Sequence, residues 1–167
     1  MKRFKSFFTE GEVIPFPGKN PKAPFENSVK TYIQKAKDKI NSISPHIDGI
    51  INEPLNKEIV KDMTPTITNQ YKGTDVHPIE QLHQFITYPV EDLHPDTNVG
   101  SRMKEFAINV AKKHKAAILD HLNDKIDRST EIVRKHAGNE EPILKHFHST
   151  SGPIGNLKKI KTFFERI

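Results

Sequence analysis

The longest periodic segment of the chain is residues 101–137, which read SRMKEFAINVAKKHKAAILDHLNDKIDRSTEIVRKHA. Its apolar residues recur every three or four positions, so on a helix they fall on one face. They are Met103, Phe106, Ala107, Val110, Ala111, Ala117, Ile118, Leu122, Ile126, Ile132 and Val133. Ser101 is a typical N-terminal cap, and Gly138 stands where a left-handed C-terminal cap is common. The pattern predicts one continuous helix over about 101–137.

Shorter amphipathic segments precede this helix. Apolar residues at helical spacing run from Asn27 to Pro45, and we expect Pro45 to end that helix because proline lacks the backbone donor. Residues 47–63 predict another helix, or two short ones. Pro78 suits a first helical turn, so a further helix is predicted between Pro78 and Pro89.

Two stretches, residues 64–76 and 90–100, lack this spacing and are predicted to be irregular. Beyond the long helix, further helices are predicted around 140–148 and 156–166. Alternating strand patterns are nearly absent. Because each apolar face needs a partner, the sequence predicts an all-α fold, a helical bundle packed on the long helix.

A proline-rich stretch divides the chain. Residues 11–25 read GEVIPFPGKNPKAPF and hold four of the 12 prolines. Proline fixes φ and removes a donor, so neither a helix nor a central strand is expected there. The predicted organisation is a flexible segment at 1–10, a linker at 11–25 and a helical domain at 26–167.

Composition limits the protein classes. The chain has 167 residues and no cysteine, which excludes disulfides, thiolate zinc sites and a cysteine nucleophile. No stretch approaches the roughly 18 consecutive apolar residues of a membrane span, and the N-terminus lacks the apolar run of a secretory signal. We therefore expect neither a membrane partner nor export.

The net charge of +5 is unevenly distributed, because residues 101–167 carry +6 and residues 1–100 carry −1. A cationic surface favours polyanions through release of condensed counterions. Lysines predominate and few aromatic residues lie between them, which predicts non-specific phosphate contact with DNA. A merely solubilising surface is the alternative. The candidate polyanion-binding residues are Lys112, Lys113, Lys115, Arg134, Lys135, Lys145, Lys158, Lys159 and Lys161.

No catalytic, metal or cofactor site is predicted. None of the nine histidines is spaced i, i+3 or i, i+4 from another, as a helical metal site generally requires. Asp120, Asp124 and Asp127 share one helix side that lacks flanking apolar residues, so we expect a solvated acidic stripe. Nucleotide-binding, zinc-protease and nucleophile-elbow motifs are absent from the sequence. The sequence therefore predicts a protein that is not an enzyme.

The first ten residues read MKRFKSFFTE and are followed by Gly11. Phe4, Phe7 and Phe8 are spaced i, i+3, i+4, which on a helix gives one aromatic face surrounded by basic residues. This segment resembles the capsid-targeting leader of internal head proteins of T-even-type tailed phages, at Met1, Lys2, Phe4, Phe7 and Glu10. It departs from that pattern at Phe8, where the family usually has Leu or Ile.

The resemblance implies a non-enzymatic protein that the prohead protease cuts between Glu10 and Gly11. Its partners would be the prohead scaffold, that protease, the packaged DNA and a host protein, and its locations the virion interior and then the host cytoplasm. Cleavage would remove three basic residues and one acidic residue, leaving +3. Two alternatives for the segment are a short helix docked on the bundle and a peptide that binds a partner or a membrane surface. The alternative function is a small cytoplasmic regulator or adaptor that binds a protein or nucleic acid.

Overall fold

The computed structural model describes residues 23–64, 67, 71 and 73–167. These residues contain helices and no strand, which confirms the all-α prediction. In chain order the helices are α1 (Ala23–Ile51), α2 (Lys57–Met63), α3 (Pro78–Thr87), α4 (Val90–Leu93), α5 (Thr97–Lys113), α6 (Lys115–Ala137), α7 (Glu141–His148) and α8 (Pro153–Arg166).

The helices pack around two neighbouring centres. Helices α1, α7 and α8 pack on α6, whereas α2, α3 and α4 pack on α5. Their buried apolar side chains form one continuous core that runs from Ala36 to Phe164 in the described part of the chain. The two central helices are the two halves of the segment predicted as one long helix.

That long helix is interrupted at His114, which corrects the prediction of a single helix over 101–137. His114 has φ −106° and ψ 15°, ending α5 and preceding α6. Its Nε2 atom lies 2.6 Å from a carboxylate oxygen of Asp62, which also accepts a hydrogen bond from Lys113. These contacts hold the junction against α2. The apolar spacing continues across the junction, so it could not reveal the break.

The start of α5 also differs from the prediction. Asp96, not Ser101, is its N-cap, and the Asp96 side chain accepts a hydrogen bond from the Asn98 N–H at 2.9 Å. Residues 90–100 are consequently more ordered than predicted, with α4 and the first turn of α5 inside them. At the other end of the predicted segment 101–137, the prediction that Gly138 is the C-terminal cap is confirmed. Gly138 caps α6 with a φ of 56°, in the region that favours glycine.

Helix α1 continues through Pro45, so the predicted end at this residue is wrong. Pro45 is on the exposed side of the helix, while Ile43 and Ile47 on either side are 1% and 0% exposed. Burial of both residues on one face stabilises the helix across the lost backbone bond. The expected cost of an interior proline, about 3 kcal/mol, is offset by this packing.

The remaining helix predictions are mostly confirmed. Helix α3 begins at Pro78, α7 covers 141–148, and α8 begins three residues before the predicted start at 156. Within the predicted irregular stretch 64–76, Ile67 is helical and fully buried.

Candidate functional site

The predicted leader lies outside the described residues. The same holds for all five candidate leader and cleavage residues, which are Phe4, Phe7, Phe8, Glu10 and Gly11. The linker predicted at 11–25 reaches the described region only at its end, where α1 begins at Ala23. The last three linker residues are therefore helical, contrary to the expectation that no helix forms there.

The predicted polyanion-binding residues do not form a single patch. Lys115 and Arg134 are nineteen positions apart on α6, which separates their backbones by about 28 Å at 1.5 Å per residue. Lys112 and Lys113 end α5, beside Lys115, whereas Lys135 is next to Arg134. The predicted polyanion-binding residues of α6 thus lie at its two ends. Lys145 lies on α7, and Lys158, Lys159 and Lys161 lie on α8.

Three of these lysines already have partners. Lys113 pairs with Asp62 at 2.5 Å, Lys115 donates to the Glu165 carbonyl at 2.8 Å, and Lys161 lies 3.5 Å from the Glu165 carboxylate. Phosphate contact at these positions would compete with existing interactions. Polyanion binding by the set stays a prediction.

A buried lysine is the principal polar feature that sequence reasoning missed. Among the described residues, Lys125 is the only charged side chain that is buried, at 1% exposure. Its ammonium donates hydrogen bonds to the backbone carbonyls of Ile51 and Glu53, just where α1 ends. Carbonyls at a helix C-terminus carry partial negative charge and attract a cation. Burial nevertheless lowers the pKa of Lys125 to about 8.

His77 lies beside this ammonium and is held as the neutral imidazole. Its Nε2 lies 3.0 Å from the Glu53 carbonyl oxygen, while its Nδ1 accepts from the Ile79 N–H at 3.3 Å as the N-cap of α3. Both contacts are satisfied when Nε2 carries the proton and Nδ1 does not. Burial, followed by the Lys125 charge 3.2 Å from Nε2, lowers the pKa of His77. The neutral ring therefore links the end of α1 to the start of α3.

His121 packs against the His77 ring, with centroids 5.8 Å apart and an angle of 18° between the planes. Burial, and then the charge of Lys125, lowers the pKa of His121 to about 4. Its buried Nε2 atom has no hydrogen-bond partner within the described part of the chain. Both imidazoles next to Lys125 are therefore neutral at pH 7.

Glu53 and Arg128 close the outer side of this cluster. Each Glu53 carboxylate oxygen accepts a hydrogen bond from the Arg128 guanidinium at 2.7 Å, and Arg128 also donates to Asp124 at 3.0 Å. The Arg128 bonds lower the pKa of Glu53. Asp120, Asp124 and Asp127 are exposed, which confirms the predicted solvated acidic stripe.

A cavity of about 210 Å³ adjoins Lys125 and His77, between α1, α3, α6 and α8. Its walls are mainly apolar, and Asp48 and Glu80 are among the residues that line it. The ammonium of Lys125 is directed to backbone carbonyls of the chain itself. The cluster therefore joins the helix ends around α6 and presents no unbonded cation to a ligand. The apolar lining residues are Ile51, Ile79, Leu122, Pro153, Leu157 and Ile160.

The spacing of α6 contains a signal that could have revealed Lys125. Leu122, Ile126 and Val133 are buried at helical spacing, and Lys125 and Ser129 occupy the same face. A lysine on an apolar face is either buried with acceptors or extends its ammonium to water. The acceptors lie at the end of α1, more than seventy positions away in the sequence, so spacing alone could not show whether Lys125 is buried or extends to water.

None of the helices in the described ranges combines the length and apolar character needed to cross a bilayer. Nor do three His, Asp or Glu side chains converge there as a metal site would require. Comparisons of the chain with protein-family models, curated proteins and solved structures found no match. Function is therefore inferred from the residues themselves.

Proposed function

We propose that this chain is a non-enzymatic internal head protein of a tailed phage, directed into the prohead by residues 1–10 and packaged with DNA. The observation that carries the proposal is the segment MKRFKSFFTE before Gly11, with phenylalanines at i, i+3 and i+4 and a glutamate at position ten. The aromatic face would bind the scaffold, and the prohead protease would cut after Glu10. The helical domain would then stay with the genome and enter the host.

The position of the folded core supports a cut at this site. Its described residues run from Ala36 to Phe164, so cleavage after Glu10 removes none of them. A removable leader requires that the core of the mature protein lie downstream of the cut, as the described core residues do.

The competing hydrophobic-x-Glu triplets also favour Glu10. Those ending at Glu105 and Glu165 lie inside α5 and α8, and the Glu53 carboxylate is bound to Arg128. A protease needs an extended substrate, which a packed helix does not provide. Folding therefore disfavours cleavage after Glu105 and Glu165, and the bond to Arg128 occupies the Glu53 carboxylate.

The basic surface gives the packaged protein a means of contact with DNA. The chain without its leader carries +3. Lysines and arginines at both ends of α6 would contact phosphates, giving non-specific affinity that falls steeply with salt. Affinity for duplex DNA that is unchanged between 50 and roughly 200 mM salt would contradict this part of the proposal.

The N-terminus of the protein from purified virions tests the main proposal. We expect mass spectrometry to find Gly11 as the first residue after infection by a T-even-type phage, and Glu10→Gln to leave Met1 in place. Glu105→Gln is the matched control, because it alters a competing triplet and should not affect processing. An intact Met1 in virions, or absence from particles, would contradict the proposal. Absence from particles would favour a cytoplasmic regulator or adaptor.

A fusion experiment tests targeting separately from cleavage. Residues 1–10 attached to an unrelated carrier protein should bring it into phage heads. Phe7→Ala should reduce this delivery because it removes the central ring of the aromatic face, whereas Lys5→Ala on the same fusion keeps all three rings. Equal delivery of the Phe7→Ala fusion and the unchanged fusion would show that the rings do not direct packaging.

A further inference from the structure

One imidazole, that of His77, joins the end of α1 to the start of α3 through both of its nitrogens. Its Nδ1 accepts a hydrogen bond from the Ile79 N–H at 3.3 Å and so caps α3, while its Nε2 lies 3.0 Å from the Glu53 carbonyl oxygen. The cap requires a lone pair on Nδ1, because a protonated imidazole has donors only. Uptake of one proton by His77 therefore removes the side-chain cap of α3.

The nearest groups on α6 oppose this proton. The Lys125 ammonium lies 3.2 Å from Nε2 of His77, and the His121 ring stacks on the same imidazole with centroids 5.8 Å apart. Burial, and then the Lys125 charge, lowers the pKa of His77 from its ordinary value of 6.5. A proton on His77 would place two positive charges side by side at a site that water reaches poorly.

Carboxylates near the site do not cancel this repulsion. The Glu53 carboxylate is bound to Arg128, which also donates to Asp124. Asp48 of α1 and Glu80 of α3 line the adjacent cavity, and the described residues of α8 that line it are uncharged. Burial and the Lys125 charge outweigh these acidic groups, since the pKa of His77 is lowered.

The first turn of α3 is also a wall of the cavity. His77 and Ile79 line the cavity together with Leu122 of α6 and Ile160 of α8. Ile79 is 2% and Leu122 0% exposed while the turn is in place. Withdrawal of the turn would uncover these apolar side chains, whereas the packing of α3 on α5 would keep the rest of the helix attached.

We propose that protonation of His77 releases the first turn of α3 from the end of α1 and opens the cavity between α1, α3, α6 and α8. The closed turn is fully favoured above pH 6.5, and this preference is lost as pH falls, because the released imidazole binds a proton more readily than the buried one. The opening is local, since α1, α7 and α8 pack on α6 without this turn. The inference goes beyond the proposed function and uses no residue of the leader, so either can fail alone.

Amide hydrogen exchange of the full chain, followed by NMR at pH 7 and pH 5, tests the proposal. The amides of Ile79 and Gln81 report on the turn, because they bond to the side chain and the carbonyl of His77. Their protection factors should fall at least tenfold at pH 5, where one additional proton favours release by up to about thirtyfold. Ile126 and Val133 inside α6 should stay at least a hundredfold better protected. Only these α6 amides should respond to about 1 M urea, since local opening exposes little surface.

His77→Asn separates the proton from the cap. Asparagine is a preferred N-cap, and its side-chain oxygen takes up no proton in this range. The protection factor of Ile79 in this variant should therefore differ less than threefold between pH 7 and pH 5. His94→Asn is the matched control, because the His94 Nδ1 accepts from the Asp96 N–H, likewise two residues later, at 3.0 Å. It should leave the tenfold fall at Ile79 unchanged.

Three results would each overturn the proposal. The first is equal protection of the Ile79 amide at pH 7 and pH 5. The second is exchange of Ile79 with the same protection factor and urea dependence as Ile126, which would mean that the turn opens only when the whole chain unfolds. The third is an undiminished fall at Ile79 in a folded His77→Asn chain, with circular dichroism at pH 7 as the check on folding.

Discussion

Replacement of Lys125 by methionine should change how the stability of this protein depends on pH. Methionine keeps most of the aliphatic length but has no ammonium, so it fills the site between α1 and α6 without a buried charge. The Ile51 carbonyl would lose its donor, at a cost of about 1–3 kcal/mol. At neutral pH the loss of this hydrogen bond destabilises the fold, whereas the removal of a poorly solvated charge stabilises it, so the two effects oppose each other. The pH dependence is therefore more informative than stability at one pH.

The expected magnitude follows from the burial of the ammonium. The pKa of Lys125 is lowered from 10.5 to about 8 in the folded protein. Between these two values the unfolded chain binds more protons than the folded one, so folding stability due to Lys125 rises with pH. At about 1.4 kcal/mol per pKa unit, the gain between pH 7 and pH 10 is about 2–3 kcal/mol. The contribution is fully present above pH 10.5 and is lost as pH falls through about 8.

Urea unfolding followed by circular dichroism from pH 7 to pH 10 measures this contribution. The free energy of unfolding of the wild type minus that of Lys125→Met should increase by about 2–3 kcal/mol over this range. Lys112→Met removes an exposed lysine of α5 and serves as the control, for which the same difference should change little. A flat difference for Lys125→Met would show that the ammonium is not desolvated at the end of α1, and would refute the assignment of its burial.

Two further predictions concern the imidazole pair and the glycines. Acid should destabilise the fold between pH 6.5 and about 4, because the pKa of His121 is about 4 in the folded chain and protons therefore favour the unfolded state. In urea titrations, His121→Gln should reduce this loss of stability by about 3 kcal/mol. An acid profile of the variant that equals that of the wild type would contradict the prediction. Gly155→Ala should lower the thermal midpoint, with a cost of about 3 kcal/mol, because the added Cβ would lie 1.8 Å from the Ser149 carbonyl oxygen. Gly49→Ala is the matched control within α1, where a Cβ meets nothing within 4 Å and helix propensity favours alanine by about 1 kcal/mol. Equal midpoints for the two alanine variants would disprove the close approach of α8 to the end of α7.

Most of the helices could be predicted because their signals are local. The start of α3 at Pro78 and the end of α6 at Gly138 depend on the backbone limits of single residues. The all-α class follows from apolar spacing, which each helix face carries independently of its partner.

The errors arose where distant residues determine the outcome. Pro45 would end an isolated helix, but burial of Ile43 and Ile47 on the opposite side carries α1 through it. At the break, His114 contacts Asp62, fifty-two positions earlier in the sequence, and the apolar spacing continues unchanged through it.

The candidate sites likewise fall into one that the sequence shows and others that only the packing shows. The aromatic spacing of Phe4, Phe7 and Phe8 is readable in the linear chain, since a leader carries its recognition elements within ten residues. Lys125 has its acceptors on the end of α1, and His77 meets a backbone carbonyl there as well, twenty-four positions earlier in the chain. Local spacing thus specifies which residues share a helix side, whereas packing specifies which of those sides are buried, which polar groups meet there and which side stays exposed.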